Sequence, residues 1–207
     1  MRQISYGTCG LCGVRKTKAA MGAHVRKCLL GTSEVERTKI LLLRAQACDD
    51  PLMWLIIAAR PSAKLRTMDD LLRRVWLECC GHLSEFTHKQ IGVVGMRRSI
   101  GDVLSLPKSK LGYEYDFGSY TRLVLSHVGV VEAAPLKSAL VAARNEAPVW
   151  FCDVCGQPAV SVCAACSGGD EGFCCEAHAA DHPCGEDSLL PVVNSPRMGV
   201  CGYTGEV

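Results

Sequence analysis

The sequence of 207 residues lacks any apolar run long enough to cross a lipid bilayer. Its longest such run, Pro51 to Ala59, is far shorter than the roughly 20 residues that a membrane-spanning helix requires. Residues 1–30 contain no apolar leader core beside a cleavage site, so nothing there indicates secretion. We therefore expect a cytoplasmic protein with no membrane partner, whose thiols are reduced.

The sequence also lacks the short motifs of common enzyme classes. It contains no P-loop, no glycine-rich dinucleotide turn and no Gly-x-Ser-x-Gly nucleophile elbow. We assign no catalytic residue, and an enzyme is the less favoured interpretation.

One segment, Tyr113–Phe117, nevertheless has a pattern that an enzyme could use. On a strand its aromatic residues point to one face, and Glu114 and Asp116 point to the other. Two carboxylates with a nearby histidine, His82 or His127, could bind a metal or act as an acid/base pair. The more frequent explanation is an aromatic core face backed by a solvated acidic face.

Acidic residues are absent from the first 30 positions, which carry six basic ones. By contrast, residues 150–207 hold eight acids against Arg197 alone. A basic head on a chain with an acidic tail favours nucleic-acid contact at the head. The alternative is that the two ends attract each other or are simply solvated.

Cysteine is abundant: the chain has 14, and in a reducing compartment spaced cysteines indicate metal rather than disulfides. The pairs Cys152-x2-Cys155, Cys163-x2-Cys166, Cys175-x2-His178 and His182-x-Cys184 supply eight ligands for two tetrahedral zinc sites. Cys174 could replace Cys175, but the spacing to His178 favours Cys175. With every position filled there is no place for a reactive water, so this module is expected to be structural.

A second ligand set lies near the start of the chain. Cys9-x2-Cys12-x11-His24-x3-Cys28 resembles a Cys-Cys-His-Cys zinc finger, with a helix over about 18–28 that presents both His24 and Cys28. The candidate nucleic-acid contacts around it are Arg15, Lys16, Lys18, Arg26 and Lys27. The alternative for this finger is a docking element for protein.

The remaining pattern predicts four segments: a finger at 1–31, a domain at 38–147, a finger at 149–185 and an ordered tail at 186–207. Polar residues 32–37 are interpreted as a linker. In the middle, buried strands over 40–47 and 52–59 flank a turn, and a helix over 68–80 follows Thr67. A second short helix is predicted over 133–143. The expected class is α+β, a mostly antiparallel sheet packed on one or two helices and flanked by small zinc-finger modules at both ends.

Cys79 and Cys80 end the predicted helix and are interpreted as small core residues. A further metal site that includes His82 is the less favoured alternative. Cys201, in the tail, is interpreted as an idle thiol.

The middle of the chain resembles the plasmid ORF-three-like family (pRiA4b type). The resemblance rests on Pro51–Trp54, the segment 68–80, His82–Phe86 and the hexapeptide Tyr113–Gly118, in that order. It implies an α+β domain of unsettled biochemical role. The family continues with an acid and a tryptophan, where this chain has Ser119 and Tyr120.

The C-terminal cluster resembles a MYND or HIT finger. That resemblance implies that the first and third ligand pairs share one zinc: Cys152, Cys155, Cys175 and His178. The second and fourth pairs share another: Cys163, Cys166, His182 and Cys184. Together with the N-terminal finger this predicts about three zinc ions per chain.

Three functions follow as hypotheses. The leading one is a non-catalytic zinc-binding accessory or regulatory protein, whose N-terminal finger contacts DNA or RNA and whose C-terminal finger contacts a protein. The second is a protein-protein adaptor without nucleic-acid binding. The third is a metal-dependent enzyme that uses Glu114 and Asp116.

Overall fold

The computed structural model describes residues 4–31, 36–166 and 172–205. Most of the predicted linker at 32–37 therefore lies outside the described residues. The chain divides into two compact units, the first formed by Met1–Leu72 and Leu83–Glu146 and the second by Arg73–His82 and Ala147–Val207.

The first unit contains these elements in chain order: β1 (Tyr6–Cys9), β2 (Arg15–Thr17), α1 (Lys18–Leu30), β3 (Thr38–Ala47), β4 (Trp54–Ala59), α2 (Leu65–Leu72), β5 (Ser84–His88), β6 (Gly92–Val94), α3 (Ile100–Leu104), β7 (Lys110–Tyr115), β8 (Thr121–Ala133) and β9 (Ala139–Asn145). The second unit contains a π-helical turn (Arg73–Leu77), β10 (Ser161–Cys163), β11 (Phe173–Cys174), α4 (Glu176–Ala180), a 3-10 turn (Glu186–Ser188) and β12 (Leu189–Pro191).

Nine strands of the described residues form one antiparallel sheet, in the order β2-β1-β9-β4-β3-β8-β7-β5-β6. In the described part of the chain, α1, α2 and α3 belong to the same unit as this sheet, and α4 belongs to the second unit. The expected α+β class, with cysteine clusters at both ends, is confirmed.

The two central strands are those that the sequence predicts. β3 and β4 pair around a turn in which the side chain of Asp50 accepts a hydrogen bond from the backbone of Leu52. All six residues of β4 are buried, so both faces of the sheet are covered there. A continuous apolar run rather than an alternating one is the expected pattern for such a strand.

The N-terminal segment joins this sheet instead of folding by itself. β1 pairs with β9, and α1 packs Met21, Val25 and Leu29 into a core that also contains Trp54. A Cβ at position 7 would lie 2.5 Å from the Trp54 ring, which explains the glycine there. Residues of the predicted finger at 1–31 thus belong to the first compact unit together with those of the central domain.

Two predicted helices differ from the observed elements. The segment 133–143 ends one strand and begins another, β9, because pairing with β4 overrides the helix preference of its alanines and leucines. α2 begins at Leu65, before Thr67, and gives way to the π-helical turn, where Glu78 N donates to Arg73 O at 2.9 Å. That extra residue per turn interrupts the 3.6-residue period on which the prediction rests.

The second unit is built on a small antiparallel sheet, β11-β10-β12. Trp150 stacks on Phe173, with ring centroids 4.7 Å apart. The C-terminal tail is part of this unit: Ser195 donates to the carbonyl oxygen of Trp76 at 2.6 Å, and Arg197 and Tyr203 are buried.

Candidate metal centres

The N-terminal cluster brings Cys9, Cys12, His24 and Cys28 together, with one ligand atom of each lying within 4.8 Å of the others. Cys9 ends β1, and a tight turn in which Gly13 N donates to Cys9 O returns Cys12 to the same place. Thr17 caps α1 by accepting a hydrogen bond from Ala20 N, and the helix supplies the other two ligands. Cys12 Sγ lies 3.2 Å from His24 Nε2 and 3.5 Å from Cys28 Sγ.

In the second unit the first cluster contains Cys152, Cys155, Cys175 and His178. A turn with Gly156 at φ 70° holds Cys152 and Cys155. Cys175 occupies the N-cap position of α4, and His178 lies within that helix. Cys155 Sγ is 3.7 Å from Cys175 Sγ, and His178 Nδ1 is 3.3 Å from the latter.

The alternative ligand Cys174 lies outside this cluster. It is buried at the end of β11, and its sulfur faces the carbonyl oxygen of Gly172 at 3.8 Å. The structure therefore favours Cys175, as the spacing does.

The second cluster of this unit contains Cys163, Cys166, His182 and Cys184. Cys163 is buried at the end of β10, and Cys166 Sγ lies 3.6 Å from Cys184 Sγ. The distance from Cys166 Sγ to His182 Nε2 is 4.0 Å, so this cluster is the more open of the two. The two ligand sets implied by the MYND or HIT resemblance both occur in the structure.

The donor sets and spacings fit zinc. With Zn–S of about 2.3 Å and Zn–N of about 2.0 Å, tetrahedral ligands stand about 3.8 Å apart for two sulfurs and about 3.5 Å for sulfur and nitrogen. The sulfur–sulfur distances above are 3.5, 3.7 and 3.6 Å. These clusters could therefore bind a metal ion, and a disulfide, with a bond of about 2.05 Å, is not formed in any of them.

The pKa values of thiols within one cluster are shifted in opposite directions. The backbone N–H of Val14, then His24, lowers the pKa of Cys12 to about 7, whereas burial, then Cys12, raises that of Cys28 to about 12. Backbone N–H groups, that of Cys175 first, lower the pKa of Cys152 to about 6. In both clusters some thiolates are stabilised while a crowded neighbour, Cys28 or Cys155, resists ionisation, and a bound divalent ion would relieve that crowding.

A fourth cluster joins Cys79, Cys80, His82 and Cys201, all in the second unit. The interpretation of Cys79 and Cys80 as small core residues is wrong for Cys80, which is exposed and belongs to the cluster. The only local sign of this cluster in the sequence is the spacing Cys79-Cys80-x-His82. The fourth member of the cluster, Cys201, lies 119 residues beyond His82. No local pattern connects such distant positions.

The five predicted nucleic-acid contacts fall into two groups. Arg15 forms an ion pair with Glu146 at 2.5 Å and lies over the ring of Tyr6, and Lys18 donates to the Pro51 carbonyl at 2.7 Å. The other three, which we call the exposed cations, are Lys16 on β2 and Arg26 and Lys27 on α1.

The predicted alternation over Tyr113–Phe117 is only partly correct. β7 ends at Tyr115, so Phe117 is 42% exposed whereas Asp116 is 5% exposed. Asp116 adopts φ 63° and accepts from Gly118 N, while Glu114 faces Arg122 at 3.4 Å. Among the described residues these two carboxylates do not belong to any of the metal-ligand clusters.

None of the helices in the described residues is long and apolar enough to span a membrane. No family model and no curated protein matches the chain, so the resemblance to the plasmid ORF-three-like family stays a prediction. Among solved structures, the chain is similar to a protein of unknown function from Methanosarcina mazei Go1. The two share 16% identity with a TM-score of 0.45, over 53% of this chain and 70% of that one.

Proposed function

We propose that this chain is a non-catalytic zinc-binding accessory or regulatory protein that contacts nucleic acid through its first unit and a protein through its second. The observation that carries the zinc assignment is the composition of the three sequence-predicted clusters. Each combines three cysteines and one histidine, with all four ligand atoms within 4.8 Å of one another. Such a set fills the tetrahedron, so a bound zinc would have no open position for water or substrate and would act structurally.

The exposed cations support the nucleic-acid half. α1 turns Met21, Val25 and Leu29 toward the core, which leaves Arg26 and Lys27 on its outer face. Arg15 and Lys18 are already held by groups of this chain, so they contribute less to phosphate binding. Residues of this kind contact phosphates and position a protein on nucleic acid without reading sequence.

The test is a titration of the zinc-loaded full chain against labelled duplex DNA, single-stranded DNA and RNA at two salt concentrations. Three phosphate contacts to a duplex give a slope of log affinity against log salt of about −2.7. The triple variant Lys16→Ala, Arg26→Ala, Lys27→Ala should lose most of the affinity and of that slope.

The matched control is Lys89→Ala, Arg97→Ala, Lys110→Ala, which removes the same charge from exposed positions outside the N-terminal segment. We expect it to bind almost as the unchanged protein does. An equal loss in both variants would contradict a specific contact surface, and no binding by the unchanged protein at low salt would contradict the nucleic-acid half altogether.

A specific observation favours the adaptor as the second candidate. In the second unit Phe151 forms an antiparallel bridge with Pro158. In that register Val149 lies opposite Val160, two residues from the bridge, so both valines are on the same face as Phe151. Their exposed fractions are 65% for Val149, 58% for Phe151 and 51% for Val160. An apolar face of this kind on a small module is typical of a protein-docking surface. If nucleic acid does not bind, the adaptor becomes the leading function.

A further inference from the structure

The cluster of Cys79, Cys80, His82 and Cys201 has the same composition as the three clusters that the sequence predicts. Cys80 Sγ lies 3.7 Å from Cys201 Sγ and 3.8 Å from Cys79 Sγ. His82 Nε2 lies 3.0 Å from Cys80 Sγ and 3.2 Å from Cys201 Sγ. The sulfur–sulfur separations match the edge of about 3.8 Å of a zinc–thiolate tetrahedron and are far too long for a disulfide.

We propose that these residues form a fourth zinc site, which fastens the Arg73–His82 segment to the C-terminal tail. No local motif joins these two parts of the chain, and the ion would link them. The site is independent of nucleic-acid binding and of the other three clusters.

The segment that carries three of the ligands is held in a shape suited to this role. Arg73 donates to Glu78 at 2.7 Å and to the carbonyl oxygen of His82 at 2.6 Å, which closes the loop that follows the π-helical turn. Gly81, at φ 80°, allows the sharp bend between Cys80 and His82. The bend places a thiol and an imidazole on the same side of the loop.

The tail presents its ligand in a conformation that cysteine rarely adopts. Cys201 has φ 52°, which lies in the left-handed region. Only a few per cent of non-glycine residues adopt this conformation, and asparagine and aspartate are enriched among them. A residue held in this way indicates that the surroundings determine its orientation, and such outliers cluster at ligand-binding positions. Here the orientation directs the sulfur at His82 and Cys80.

Charge around the cluster also suits a zinc–thiolate centre. Three thiolates, a neutral imidazole and Zn²⁺ carry a net charge of −1, which a nearby hydrogen-bond donor or cation stabilises. The buried guanidinium of Arg197 lies 3.8 Å from Cys79 Sγ and can supply both. The backbone of the same tail segment is fastened by Ser195, which donates to Trp76 O.

This site is also the most accessible of the four. Each of the other clusters contains one buried cysteine, whereas here Cys80 and Cys201 are exposed and the other two ligands are half-buried. We therefore expect its zinc to be the first that a chelator removes.

The first test counts zinc in the purified full chain by elemental mass spectrometry. We expect four ions per chain in the unchanged protein, three in Cys201→Ser and three in His82→Ala. His82→Cys should retain four because thiolate replaces imidazole as a ligand. Cys48→Ser is the matched control, since Cys48 is exposed and outside all four clusters, and it should also retain four. Three ions in both the unchanged protein and Cys201→Ser would overturn the proposal while leaving the other three sites intact.

The second test needs no variant, so a folding defect cannot obscure it. The zinc-loaded chain is treated with iodoacetamide, and the alkylated cysteines are identified by peptide mass mapping. Cys80 and Cys201 should react much more slowly than Cys48, which is also exposed, and should become reactive once one equivalent of zinc has been withdrawn by a chelator. Alkylation of Cys80 and Cys201 as fast as Cys48 in the zinc-loaded protein would overturn the site.

Discussion

The packing of α1 onto the sheet leads to a quantitative prediction for Met21→Ala. Met21 is fully buried in the core cluster that also contains Trp54 and Ile56, and it is not a metal ligand. Replacing a buried methionine by alanine costs about 3 kcal/mol, through lost burial and a residual cavity. Because α1 shares one core with the sheet, this loss should destabilise the whole first unit rather than the N-terminal segment alone.

Amide hydrogen exchange followed by mass spectrometry measures this effect for each segment. If the slowest amides of β3, β4 and β8 exchange through unfolding of the unit, a loss of about 3 kcal/mol accelerates them roughly 100-fold. Leu30→Ala is the control on the same helix, since Leu30 is 41% exposed, and its effect should stay within about 0.5 kcal/mol. Zinc content is measured in parallel to confirm that both variants keep their metal.

The reasoning would be refuted by acceleration confined to the amides of Lys18–Leu30, with β3 and β4 exchanging as in the unchanged protein. That outcome would mean that the N-terminal segment unfolds as an independent finger, as the sequence pattern predicts.

Three further predictions concern the ligands and the basic residues. Cys175→Ser should lose one zinc ion per chain by elemental analysis, whereas Cys174→Ala should keep the full number, because only Cys175 lies in the cluster with His178; equal loss in both would contradict the ligand assignment. Acidification below neutral pH should release zinc, because protons compete for the thiolates and imidazoles that bind it. The released zinc is measured with a colorimetric chelator, and release that is independent of pH would exclude these ligands. Arg26→Ala should reduce the salt slope for duplex DNA by about one, whereas Arg15→Ala should hardly change it, since Glu146 holds Arg15; the reverse order would show that the ion pair opens on binding.

The sequence predicted which cysteines and histidines come together in three of the clusters, because their signals are local. A pair of cysteines with two residues between them lies on one turn of backbone, and His24 and Cys28 lie one helical turn apart whatever surrounds them. The same holds for β3 and β4, where a continuous apolar run on each side of the Asp50 turn indicates two buried neighbouring strands. The pairing of Cys152 with Cys175 came from a family resemblance, and the structure brings the same residues together.

Other features could not be predicted, because they depend on pairing partners far along the chain. Residues 139–145 are strand rather than helix because β4 and β1 offer hydrogen-bonding edges on either side. The burial of Asp116 and the exposure of Phe117 follow from the end of β7, which reverses the alternation that a longer strand would have kept.

Spacing, apolar periodicity and charge act over a few residues, so the sequence alone indicates a chain with several cysteine and histidine pairs of zinc-finger type, an α+β centre and a basic N-terminal segment. Two features appear only in the folded chain: the N-terminal segment shares the core of the sheet, and Cys201 reaches Cys80 and His82. Those contacts close long loops, and their partners are selected by packing of the whole chain rather than by any local pattern.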